Sequence, residues 1–197
     1  MKRAVIPIIA GALIAAGASA YVSLRQRAPQ ERPVPPSAQL RPAPDFEIVM
    51  YQGTSEVGGS TIALSSLWET EKRPVVLNFW AGLCPPCRAE MPDFQRLYNE
   101  RDQRSFTLIG VDIGPFIGLG SREDGRALLR ELGVMFPAGT TFDARTLRDY
   151  QILGMPTTVF ITAGGRILRK HAGLLTRGQM AAFTEELIRA SGAKYAP

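Results

Sequence analysis

The dithiol Cys84-Pro85-Pro86-Cys87 constrains this chain more than any other feature, because of what flanks it. Ahead of it runs Val75-Val76-Leu77-Asn78-Phe79-Trp80, a nearly unbroken apolar stretch. A strand reads this way when it is covered on both faces. After it, Met91, Phe94, Leu97 and Tyr98 recur at helical spacing and predict a helix from about Pro85 to Arg101. A strand passing straight into a helix puts Cys84 at the N-cap, Pro85 at N1 and Cys87 inside the first turn. Proline is tolerated at N1, where its N–H would be unpaired anyway. Unpaired N–H groups and the positive end of the helix dipole then face the first sulfur and favour thiolate. Cysteines so placed ionise at roughly pH 3.5–7.5 rather than about 8.5. Cys84, at the exposed helix tip, is therefore the expected nucleophile. Cys87 is the expected resolving thiol of a mixed-disulfide exchange.

No other cysteine exists, so no disulfide framework can be built. A zinc site would need two further ligands, and His171 is the sole histidine; it reads as a strand residue. Pro92 falls inside the predicted helix, removes one hydrogen bond and should kink it.

The net charge of +5 suggests an anionic partner until it is located. Residues 1–44 carry six Lys and Arg against Glu31 alone, which accounts for all of it. From Asp45 onward, 17 basic and 17 acidic residues cancel, leaving no electrostatic footprint for nucleic acid. The chain begins Met1-Lys2-Arg3, continues uncharged from Ala4 to Leu24 and meets Arg25, the pattern of an export segment over 1–27. Two export readings stay open. The 21 uncharged residues match the span of about 20 that crosses a bilayer, whereas Ala18-Ser19-Ala20 is a cleavage pattern ending at Ala20. The Pro-rich stretch 28–44 is a semi-rigid spacer of roughly 50 Å, at about 3.1 Å per residue, and suits a tethered domain. Both readings place a domain over 45–197 outside the cytoplasm, joined to or exported across the membrane by its N-terminal segment.

Within 45–197 the pattern is α/β. Phe46–Met50 and Thr61–Leu64 predict an N-terminal hairpin through Gly53 and Gly58-Gly59. Phe106–Asp112 is a second buried strand. Ser121 with Asp124, and Thr176 with Gln179, are capping boxes for helices ending at Gly133 and Gly192. Asp143 caps a short helix carrying Leu147 and Tyr150. Thr157–Thr162 and Ile167–Ala172 form a hairpin around Gly164-Gly165. Strands alternating with helices imply a partly parallel sheet with helices on both faces. The apolar loop Gly114–Gly120 lies on the edge where the dithiol emerges. Its Phe116, Ile117 and Leu119 either face a partner or fold onto the domain.

The segment Val76-Leu77-Asn78-Phe79-Trp80-Ala81-Gly82-Leu83-Cys84-Pro85-Pro86-Cys87-Arg88-Ala89-Glu90-Met91-Pro92 resembles the active-site segment of TlpA/ResA-type thioredoxin-like proteins. Gly154-Met155-Pro156-Thr157-Thr158-Val159-Phe160-Ile161 resembles their second signature, and Gly173 a later glycine. The resemblance covers about residues 44–190. It implies a thioredoxin-like fold, a central mixed sheet flanked by helices with an N-terminal β-hairpin extension. It implies an extracytoplasmic thiol–disulfide oxidoreductase acting on protein partners, often a reductant in cytochrome c maturation. Apocytochrome c would then be a substrate and a membrane protein the electron donor. No cofactor is implied beyond the Cys84–Cys87 disulfide, and no metal. The resemblance makes Pro156 a cis-proline facing the dithiol, and Glu90 an acid that takes or relays the proton of Cys87. Pro85, Pro86, Met155 and Thr157 become the partner-contacting set, and Trp80, which matches the family's tryptophan beside the site, either joins them or belongs to the core. Two departures stand out: Asn78 replaces the buried Asp of thioredoxins proper, and Leu83 replaces an aromatic before the first cysteine.

Two other chemistries use similar residues. A Sco-like copper module would need His171 near both sulfurs, but its cysteines are normally spaced by three residues. A peroxiredoxin-like peroxidase would need Thr where Ala81 stands.

Overall fold

The computed structural model describes residues 40–100 and 105–192. The expected export segment and residues 28–39 of the spacer lie outside them. Among the described residues, no helix is long and apolar enough to cross a membrane.

The centre of the fold is β3 (Val75–Trp80), every residue of which is buried. It pairs in parallel with β4 (Thr107–Asp112) and antiparallel with β6 (Thr157–Ile161). Alternation along β3 divides the interior into two cores. Val75, Leu77 and Phe79 enter one with Phe46, Ile48, Val111, Tyr150 and Val159. Val76 and Trp80 enter the other with Phe94, Leu128, Phe136, Phe160 and Leu187. The second core is roofed by α3 (Pro85–Glu100), α5 (Arg122–Glu131) and α7 (Arg177–Ala190). A strand with this much apolar surface on both sides is stable only between two layers, and that fixes the α/β/α arrangement.

The N-terminal hairpin forms as expected, with β1 (Glu47–Gln52) antiparallel to β2 (Thr61–Ala63) and a helical turn, α1 (Thr54–Val57), between them. It is more than an appendage. The strand β5 (Ala138–Thr140), which the sequence pattern did not suggest, joins β1 to β4 and completes a seven-stranded sheet ordered β2-β1-β5-β4-β3-β6-β7. The edge strand β7 spans Ile167–Ala172. Three residues containing Gly139 carry no alternation to read. That glycine is required by contact, since a Cβ there would lie 2.5 Å from the Val49 carbonyl oxygen.

Further short elements are α2 (Ser66–Glu69), α4 (Gly114–Ile117) and α6 (Arg145–Asp149). Both capping boxes form, Ser121 with Asp124 and Thr176 with Gln179. Asp143 accepts the Arg145 amide at 3.0 Å, one residue ahead of the cap of α6. Residues 41–43 already lie on the domain: the Arg41 carbonyl accepts from Ile167, and Ala43 donates to Gly165. Tyr150 ties this entry segment down, donating to the Pro44 carbonyl at 2.6 Å while its ring meets Phe46 and Phe79.

The buried Asp112 sets a steric limit on α5. Alanine at Gly125 would ordinarily favour the helix by about 1 kcal/mol. Here its Cβ would sit 2.2 Å from Asp112 Oδ2. Gly125→Ala is expected to destabilise by about 1–3 kcal/mol as overpacking does, measured as a lower urea midpoint. Gly178→Ala, whose Cβ meets nothing within 4 Å, should leave the midpoint unchanged or raise it.

Candidate active site

The dithiol emerges where β3 ends. From Trp80 the chain turns through Ala81–Leu83, pinned by Cys84 N–H to the Ala81 carbonyl and Leu83 N–H to the Leu119 carbonyl at 2.9 Å. The Cys84 carbonyl then accepts from Arg88, opening α3. Cys84 thus holds the cap position that its spacing predicted. Its Sγ accepts the Cys87 N–H at 3.3 Å. The two sulfurs form a disulfide, with the Cα atoms 5.3 Å apart.

Exposure corrects one expectation. Cys84 is only 3% exposed and Cys87 is fully buried, because the Cys84 side chain turns back over the helix N-terminus into the second core. The exposed residues at the tip are Leu83, Pro85 and Pro86. With Leu153 at 93% and Leu174 at 44% exposure, they leave apolar surface on the segments flanking the site.

The register β3–β6 pairs Phe79 with Thr157, so the segment before β6 lies at the sheet end from which the dithiol loop departs. The Met155–Pro156 bond there is cis, as the resemblance implied. Met155 packs against the core that holds both cysteines. The Thr157 hydroxyl donates to the Gly154 carbonyl at 2.7 Å, and the Pro156 carbonyl accepts from Gly173 at 2.7 Å. Thr157, 1% exposed, therefore braces this loop instead of meeting a partner. Of the two readings of Trp80, the core one holds. It is fully buried, with its indole against Gly110 and under α5, so it presents no surface to a substrate.

Glu90 lies one helical turn beyond Cys87 and is 1% exposed. Its Oε1 accepts from Asn78 Nδ2 at 2.8 Å, and its Oε2 from Leu175 N–H at 3.1 Å. Burial pushes its carboxyl up to about 7, against the pull of these two donors. An acid that gains and loses its proton near neutrality suits proton transfer.

Sequence reasoning did not gather Asn78 and Leu175 around Glu90, nor Thr158 beside Asn78. The available signal was a lone amide in the otherwise apolar β3. It also passed over Asp112, which is fully buried and accepts from Tyr51 Oη at 3.1 Å and Gly114 N–H at 2.9 Å. Burial pushes the Asp112 carboxyl up to about 6. Phe116, Ile117 and Leu119 are half-buried and pack on the two cores, so the Gly114–Gly120 segment folds onto its own domain. Gly114–Ile117 is a helical turn and not the expected loop. His171 pairs with Thr158 across β6 and β7, its ring centroid 6.2 Å from that of Phe183. Among the described residues, no three His, Cys, Asp or Glu side chains gather as a metal site would require.

The profile of the AhpC/TSA family matches residues 40–170. The thiol–disulfide oxidoreductase ResA of Oceanobacillus iheyensis is 33% identical over 145 residues, covering 74% of this chain and 70% of that protein. A thioredoxin-family thiol:disulfide interchange protein of Chlorobium tepidum superposes with a TM-score of 0.61 at 22% identity, covering 76% of this chain and 97% of the other. StoA of Bacillus subtilis gives 0.58 at 21%, covering 77% and 99%. These last two likenesses speak for the fold, and the first carries the chemistry. The chain belongs to the AhpC/TSA family of thioredoxin-like proteins and, within it, is a thiol–disulfide oxidoreductase of the TlpA/ResA type.

Proposed function

We propose that this oxidoreductase works outside the cytoplasm as a reductant of protein disulfides, with Cys84 as nucleophile, Cys87 as resolving thiol and Glu90 as proton acceptor. The observation that carries the reading is the Cys87 N–H held on Cys84 Sγ at a helix start. A donor there stabilises a thiolate more than a thiol. In the cycle, the Cys84 thiolate attacks one sulfur of a partner disulfide, and the other partner sulfur leaves as thiolate and takes up a proton. The Cys87 thiol gives its proton to Glu90, attacks Cys84 Sγ and releases the second partner sulfur. The partner gains two electrons and the pair Cys84–Cys87 loses two. The exposed Pro85 and Pro86 and the backbone of Met155 beside Pro156 supply the docking line for an extended segment of the partner.

A substrate such as an apocytochrome c and a membrane protein that re-reduces the disulfide fit the export pattern of residues 1–27, a spacer over 28–44 and a catalytic domain over 45–197. The copper reading has less support, since it needs His171 beside the sulfurs and that residue packs against α7. The peroxidase reading lacks the threonine at Ala81.

Cys87→Ser should trap the intermediate. Incubated with a disulfide-bonded substrate, this variant is expected to accumulate a covalent adduct through Cys84, read by mass spectrometry after non-reducing digestion. An adduct-free variant that still turns over substrate disproves the scheme. Direction is read from the equilibrium potential of the pair: a value near about −270 mV fits a reductant, and one near about −120 mV would make the protein an oxidant.

A further inference from the structure

Asn78 is the only residue of β3 that is not apolar, and it leaves one atom unused. Its Nδ2 donates to Glu90 Oε1 at 2.8 Å and to Thr158 Oγ1 at 3.1 Å. Its Oδ1 is buried with no hydrogen-bond partner among the described residues. Buried carbonyl oxygens are normally satisfied, so such an atom calls for a reason. The surroundings of Glu90 supply one. Both of its oxygens face donors, Asn78 Nδ2 on one side and the Leu175 N–H on the other. That cradle fits a carboxylate, whereas a carboxylic acid must place an O–H somewhere. The Leu175 amide is fixed backbone and can only donate. The proton must therefore go on Oε1, where the Asn78 NH2 now stands.

Turning the amide over resolves the clash. Oδ1 then takes the Nδ2 position and accepts from the Glu90 O–H. The Thr158 hydroxyl, able to donate as well as accept, turns its proton toward the same oxygen. One buried amide atom is unpaired in either orientation, so neither is favoured by its own hydrogen-bond count. The proton on Glu90 decides between them. We propose that Asn78 is a positioning residue whose amide follows the proton of Glu90, presenting Nδ2 to the carboxylate and Oδ1 to the acid. Both forms are thereby held in one place, a helical turn from Cys87.

Among the described residues, burial and the two donors Leu175 N–H and Asn78 Nδ2 set the proton affinity of Glu90. On the surrounding elements, Arg88 pairs with Glu131, Arg177 with Glu100 and Arg169 with Glu186. His171 stands one strand beyond Thr158. Cys87 on α3 carries a thiol only in the reduced protein. The inference rests on the reading of Glu90 as proton acceptor, but its test does not involve turnover.

The oxidised full chain is titrated while two signals are followed: the infrared C=O band of the protonated Glu90, identified by its loss in Glu90→Gln, and the Asn78 side-chain NH2 resonances. The band is expected to fade with a midpoint near about 7, and the Asn78 resonances to shift with the same midpoint. Asn78→Leu removes a donor to the anion and an acceptor from the acid together. Because the bond to the charged form is the stronger, the Glu90 midpoint should rise, but by no more than about one pH unit. Asn78→Asp should split the titration into two steps, as carboxylates sharing a proton do. Asn78 resonances that ignore the Glu90 midpoint overturn the proposal on the wild-type protein alone. So does a Glu90 midpoint that Asn78→Leu raises well beyond about one pH unit, as loss of a donor fixed on the anion alone would. Unimpaired exchange by Glu90→Gln would instead remove the catalytic reading and leave this coupling standing.

Discussion

Cys84→Ser is expected to slow disulfide exchange by at least about a thousand-fold, equivalent to about 4 kcal/mol of activation free energy. The size of the effect follows from the chemistry at that position. Serine can sit at the same cap and accept the same Cys87 N–H, so the fold and the helix start survive. What goes is a sulfur able to ionise near neutral pH and to attack another sulfur. Cys87 cannot substitute for it, being fully buried one turn inside α3. The measurement is the rate of reduction of a disulfide-bonded protein by the reduced variant, set against an unchanged urea midpoint. Retention of even a tenth of the wild-type rate would move the nucleophile elsewhere.

The second large effect concerns stability. Folded Glu90 keeps its proton up to about pH 7, whereas an ordinary glutamate gives it up near 4.5. Between those values the folded chain binds more protons than the unfolded one, so rising pH removes stability. The contribution is fully present below about pH 4.5 and lost once pH passes about 7. At about 1.4 kcal/mol per pH unit, this is about 3 kcal/mol. Glu90→Gln never carries the charge, and its amide can meet both Leu175 N–H and the turned-over Asn78. The oxidised variant should therefore match the wild type near pH 4.5 and exceed it by up to about 3 kcal/mol at pH 8, read from urea midpoints. Asp112 shifts in the same direction, so the variant retains part of the slope. If wild type and variant lose stability in parallel across this range, Glu90 is not the buried acid described here. An acid held where it weakens the fold above neutral pH is the kind of residue expected to earn its place through function.

Much of this site could be read along the chain because its determinants are local. The apolar run of β3 announces a doubly covered strand, and the spacing Cys84–Cys87 places one sulfur at the cap and the other one turn in. The two capping boxes at Ser121 and Thr176 each close over two intervening residues, so local backbone geometry suffices to form them. Other features were misread or left open because they depend on residues far apart in sequence. Trp80 could be read along the chain as a partner contact or as core, and only the packing of α5 over it decides. The three residues of β5 are too few to carry a pattern, and they become a strand because β1 and β4 both have edges to satisfy. Glu90 on a helical wheel resembles any solvated acid, and nothing local says that Asn78 and Leu175 converge on it.

Sequence alone determined that a strand ends in a helix carrying two thiols at its positive end, because hydrophobic periodicity and cap chemistry act over a few residues. Tertiary structure decided how reactive that pair can be. It withdrew Cys84 from solvent and brought the cis Met155–Pro156 segment to the same sheet end. It also buried Glu90 among donors from β3 and from the turn before α7. Burial and the placement of dipoles are properties of the assembled layers, and it is these that shift a proton's affinity.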